Sequence, residues 1–181
     1  MVVDRRVEDR AVFETAAVYM KYDDASWHYG GAFPEDLPDE AGATHIGMFV
    51  AWALLNGMAG ELHVDEFPED LQNLKDRGVT PGQFFLTACD GKFTDEDLTD
   101  EGNKFTEAYY AVKSGGYLND YSIVLGSDLP TLYHIEDTWA SFDKLKPILD
   151  ERYSQWIDGR LELFDPETAK KKSSKSRWKF W

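Results

Sequence analysis

Four histidines (His28, His45, His63 and His134) and a single cysteine, Cys89, are the side chains of this sequence best suited to metal or nucleophilic chemistry. No two histidines stand in an HxxH, HxxxH or HExxH pair, so no helical face presents two ligands. The spacing therefore predicts no metal site and no cofactor. Only a three-dimensional cluster of histidines with Asp23, Asp24 or Glu35 would make one. His28 follows Asp23, Asp24 and Trp27 in one short stretch, and His28, His45 and Asp24 are the candidates for general acid–base work. His45 falls in the first turn of an apolar helix, where a half-buried, hydrogen-bonded imidazole is expected. Ser26 and Cys89 have no activating neighbours in sequence, which argues against nucleophilic catalysis. The glycines at 30–31, 57–60 and 115–116 match neither phosphate-binding fingerprint.

The segment DGKFTDEDLTDE, Asp90–Glu101, places acids at positions 1 and 12 of a twelve-residue calcium loop. It fails on mechanism. Lys92 stands where a ligand oxygen belongs, and Asp95 stands where the loop needs glycine for its sharp turn. Thr94 and Thr99, each followed by acids, predict two successive helix caps instead.

Charge divides the chain into two parts. Residues 1–169 hold 34 Asp and Glu against 13 Lys and Arg, a net of −21, whereas the last twelve residues hold six cations and no acid. An acidic body repels nucleic acid and attracts basic proteins. The cations of the tail are Lys170, Lys171, Lys172, Lys175, Arg177 and Lys179, interleaved with Trp178 and Trp181. Such a tail is expected to be flexible and to make at most weak contact with an anionic membrane surface, at about 1 kcal/mol per charge. The N-terminal stretch has no apolar run of signal-peptide type, and the longest apolar run, near residues 46–55, is far short of a membrane span. A cytoplasmic location is expected.

These residues need elements to position them. The apolar fraction of 43% predicts a real core. A weak amphipathic helix is read at 5–19, and an ordered Gly-, Pro- and Asp-rich loop follows Met20. HIGMFVAWALLNGM is apolar on nearly all sides and reads as a central core helix, with Thr44 as its N-cap and Gly57 or Gly60 as its stop. Pro68 and Pro81 mark two further helix starts, residues 99–113 predict another, and 138–157 predict a long last helix that Pro147 should kink or divide. YSIVL and TLYHI, within 117–135, are the best strand candidates. The expected fold is mainly α, one compact domain at 20–165 with at most a small β element at 117–135. It is flanked by an N-terminal extension (1–19) and a basic aromatic tail (166–181).

From Met20 to about Ile157 the chain resembles an uncharacterised bacterial domain family. The resemblance rests on MKYDDASWHYGGAFPEDLP, GATHIGMFVAWALLNGMAGELH, TPGQFFLTACDGKFTDEDLTDEGNKFTEAYY, YLNDY and LYHIEDTW. It implies no reaction. It does imply similarity to small proteins encoded beside polymorphic toxins, some with a basic, Trp-ending tail. Together with the acid excess, this makes the expected function non-catalytic binding of a basic protein, in its sharpest form immunity to a basic toxin domain. The expected binding residues are Asp23, Asp24, Trp27, His28, Asp95, Asp97, Asp100, Tyr110, Asp120 and Tyr121. The alternative is a small-ligand-binding or hydrolytic enzyme built from the Asp23/Asp24/Trp27/His28 loop with His45. The two readings differ in geometry: acids spread over an open face for the first, His28, His45 and a carboxylate converging for the second.

Overall fold

The computed structural model describes residues 19–30 and 33–163. The helix read at 5–19 and the basic aromatic tail, with its proposed membrane contacts, lie outside the described residues. The described chain is mainly α. Its elements are β1 (Lys21–Asp24), α1 (Thr44–Ala53), α2 (Pro68–Lys75), α3 (Pro81–Ala88), β2 (Lys92–Thr94), α4 (Asp100–Phe105), α5 (Tyr117–Leu125) and α6 (Trp139–Ile157), joined by short 3₁₀ and π turns.

α1 is the centre. All ten of its residues are buried, and Phe49 and Trp52 have no exposed surface. A helix apolar on every side must be surrounded, and α3 and α6 pack on it. The approach of α3 depends on Gly47: a Cβ there would sit 2.5 Å from the carbonyl oxygen of Pro81. Thr44 is not the N-cap. The chain enters α1 from a 3₁₀ turn at Asp39–Ala43, already in helical geometry, so Thr44 is the first helical residue. At the other end the helix widens into a π turn at Leu54–Met58, and Gly57, at φ +82°, stops it.

The remaining helices start as their sequences require. Pro68 and Pro81 occupy first-turn positions. Thr80 and Gln83 close a capping box on α3. The Asp137 carboxylate adds a second anchor there, accepting the amides of Gly82 and Gln83 at 2.9 and 3.2 Å. Thr138 caps α6. That helix runs undivided through Pro147, which is exposed, while Leu145 and Leu149 on either side are buried. Burial on the opposite face holds the helix together across the one missing hydrogen bond.

The β element is not at 117–135. YSIVL belongs to α5, because Tyr117 and Tyr121 are four residues apart and both are buried on one helical face with Asp120. The β-branched residue Ile123 that suggested a strand points outward, 66% exposed. TLYHI holds only a 3₁₀ turn, Leu132–His134. The small sheet is instead β1 paired antiparallel with β2, with a bulge between Lys21 and Asp23.

Candidate functional site

The Asp90–Glu101 segment is a turn, a strand and two caps. Asp90 and Gly91, both with positive φ, turn the chain into β2. Thr94 and Asp97 form a capping box over the 3₁₀ turn Asp95–Asp97, and the Thr99 hydroxyl accepts the Gly102 amide at the start of α4. Asp97 is thus spent internally. Its Oδ2 accepts the Thr94 amide at 2.7 Å, its Oδ1 is 2.9 Å from His63 Nε2, and the residue is 1% exposed.

β1, the 3₁₀ turn Ala25–His28 and α1 converge on a second cluster. β1 delivers Asp23, the turn delivers His28, and the first turn of α1 delivers His45. His28 Nε2 lies 3.0 Å from Asp23 Oδ1. His45 Nε2 lies 3.7 Å from Asp23 Oδ2, an electrostatic contact too long for a hydrogen bond. The two imidazoles meet edge to face, with centroids 4.5 Å apart. The Tyr110 hydroxyl donates to Asp23 Oδ2 at 2.6 Å, and the Tyr133 hydroxyl is 3.0 Å from His28 Nδ1. The Tyr117 hydroxyl donates to the His45 backbone carbonyl and pins that turn of α1.

The electrostatics follow from this arrangement. Burial alone would raise the Asp23 pKa, but the hydrogen bonds of His28 and Tyr110 and the nearness of His45 hold it well below the ordinary carboxylate range. Burial pushes the His45 pKa down, against the pull of Asp23. His45 therefore differs from expectation: it is 6% exposed and its Nε2 has no hydrogen-bond partner among the described residues. The neighbouring Tyr121, with its ring 6.3 Å away, has an equally unpartnered buried hydroxyl.

The sequence-derived binding residues are thus split by the fold. Asp23 and His28 meet in this cluster with Tyr110. Asp24 sits beside it, but its carboxylate is committed to Ser26 and Lys21. Trp27 is exposed at the edge of the loop. Tyr110, Asp97, Asp120 and Tyr121 are buried and form no open face. Asp120 pairs with Arg152 at 2.7 Å and accepts the Tyr109 hydroxyl at 2.8 Å, an internal tie between α5 and α6. Asp95 accepts the Met20 amide and is half-buried.

Asp100 lines a groove of about 1040 Å³ between the α1–α2 connection and the start of α4. Six carboxylates line it (Glu61, Asp65, Glu66, Glu96, Asp100 and Glu101), and among the described residues no lysine, arginine or histidine does. Val64, Leu62 and Tyr153 supply apolar surface between them. Sequence reasoning missed Glu61, Asp65 and Glu66, although DEFPED at 65–70 is a visible acidic run. It also missed Tyr133, for which no local signal exists.

A third cluster, His63, Cys89 and Asp97, is fully enclosed. Burial pushes the Cys89 thiol pKa well up, with the Asp97 charge adding to it. A thiol held protonated is a poor nucleophile, and His63 Nε2 already faces Asp97. This group ties the Leu62–Glu66 turn to the β2–α4 connection.

The geometry defines a small helical protein with an acidic groove on its surface and a histidine–carboxylate cluster at the end of its central helix. The family model described as a domain of unknown function (DUF7832) matches residues 21–135, well over half of the chain, and the chain belongs to that family. The match includes both features except for Tyr153 and stops before α6. No curated protein and no solved structure matches the chain. Among the described residues, no helix is long and apolar enough to cross a membrane.

Proposed function

We propose that this protein binds a basic protein partner along the acidic groove, and that its sharpest biological form is neutralisation of a basic toxin domain. The observation that carries this reading is the groove itself: six carboxylates, no lining cation among the described residues, and exposed Val64 between them. A concave surface of one sign focuses the field and speeds capture of an opposite charge. The −21 net charge of residues 1–169 extends that field beyond the groove. Apolar lining gives a docked partner something to bury once steering has brought it in.

The test is capture of a stoichiometric basic partner by the intact protein, followed by stopped-flow association at low and high salt. Changing Glu61, Glu66, Glu96 and Asp100 to their amides should slow association about tenfold or more at low salt. The same change at Asp39, Glu40, Asp128 and Glu136, exposed acids that do not line the groove, should slow it much less. Equal effects, or association indifferent to salt, would remove the groove from the account.

The convergence of Asp23, His28 and His45 favours a second reading, a small-ligand-binding or hydrolytic enzyme. In that reading Asp23, rather than Asp24, orients His28 as general base, since Asp24 is already fully engaged. Turnover of a small molecule by the purified protein, abolished by His28→Gln, would support it over the binding reading.

A further inference from the structure

We propose that Asp23, His28 and His45 together form a binding site for a first-row divalent transition-metal ion, with coordination positions left open to solvent. Their donor atoms lie within 4.8 Å of one another, close enough to share one ion. Two imidazoles and one carboxylate suit zinc, iron(II) or cobalt(II) far better than calcium or magnesium, which take all-oxygen shells.

An unsatisfied donor points the same way. His45 is more than nine-tenths buried, its Nε2 faces Asp23, and that nitrogen has no hydrogen-bond partner among the described residues. A buried polar atom without a partner is costly and uncommon in a folded protein. A metal ion bound to His45 Nε2 would satisfy it.

The surroundings are those a metal site needs. Tyr133 contacts His28 Nδ1, so that ring turns its Nε2 toward Asp23. Metal binding would displace the Nε2 proton that faces Asp23, and the Tyr133 hydroxyl can accept from Nδ1–H in the resulting tautomer. Tyr110 orients the carboxylate by donating to Asp23 Oδ2, and Tyr117 fixes the backbone of His45. Three protein ligands would leave at least one position for water or substrate, as in catalytic rather than structural sites. The His28 and Asp23 side chains keep 20% and 13% of their exposure, so that position has access to solvent.

Cobalt(II) is the probe, because its visible absorption reports nitrogen and oxygen ligation directly. The full-length protein, stripped with a chelator and held in excess magnesium to occupy surface carboxylates, is titrated with cobalt and then with zinc. One cobalt per chain with a ligand-field spectrum, displaced by one zinc, is expected. His28→Gln and His45→Gln should each weaken binding by about two orders of magnitude. His28 is partly exposed, so its variant is expected to fold even if the His45 variant does not. Cys89→Ser should leave the spectrum unchanged. Failure of the wild-type protein to bind cobalt or zinc in the presence of magnesium would overturn the proposal. So would binding that survives His28→Gln but is lost in Cys89→Ser, which would place the ion in the enclosed His63 cluster.

Discussion

Raising the pH should unfold this protein steeply, because its core ionises badly. Tyr109, Tyr110, Tyr117 and Tyr121 are all buried, and burial is the largest cause raising the pKa of each. Asp120 pushes Tyr109 further in the same direction, and Asp23 does so for Tyr110. In the unfolded chain these phenols lose their protons near pH 10. Above that pH the unfolded state binds fewer protons than the native one, so stability falls as pH rises. The contribution is whole below pH 10 and is lost as pH climbs toward the native values. If the four phenols stay protonated in the fold, each removes about 1.4 kcal/mol at pH 11, or roughly 6 kcal/mol together. A domain of this size holds about 5–15 kcal/mol in all, so unfolding is expected between about pH 11 and 12. Absorbance of ionised tyrosine and far-ultraviolet circular dichroism should be followed together. The buried four should ionise only with loss of helix. Tyr117→Phe keeps the ring, loses the bond to the His45 carbonyl, and should make the alkaline limb shallower by about one phenol's share. Ionisation of all nine tyrosines near pH 10 with the helix signal intact would refute the reasoning.

Two further stability measurements, by urea unfolding, test the packing. Phe49→Ala should cost about 4–5 kcal/mol, the upper part of the range for a buried aromatic. The surrounding rings of Tyr109, Tyr110 and Tyr117 are tethered by their own hydroxyl bonds and cannot collapse into the void. A loss below about 1 kcal/mol would contradict the burial of that side chain. Arg152→Met should cost about 3 kcal/mol by stranding the buried Asp120 carboxylate. Adding Asp120→Leu should recover much of that loss. A double variant no more stable than the single one would show that the pair holds α5 to α6 in a way apolar packing cannot replace.

The sequence by itself determined the elements whose cause is local. α1 was legible because it is apolar on every side, α2 and α3 because proline marks their first turns, and the Thr94 and Thr99 caps because each threonine is followed by acids at the right spacing. α5 was misread as strand, since Ile123 and Val124 carry strand propensity. The spacing that overrides it, Tyr117 to Tyr121, matters only once both rings have a core to enter. Tertiary structure alone decided which polar residues meet. It turned Asp120 and Asp97 inward, to Arg152 and His63, and so removed them from any surface. It brought Asp23 beside His45 across 22 positions of sequence, and Tyr110 and Tyr133 to the same cluster from farther still. It also gathered Glu61, Glu66 and Asp100 on one groove. Hydrophobic pattern is periodic and can be read along a chain, whereas convergence of charge and imidazole depends on where the packed helices cross.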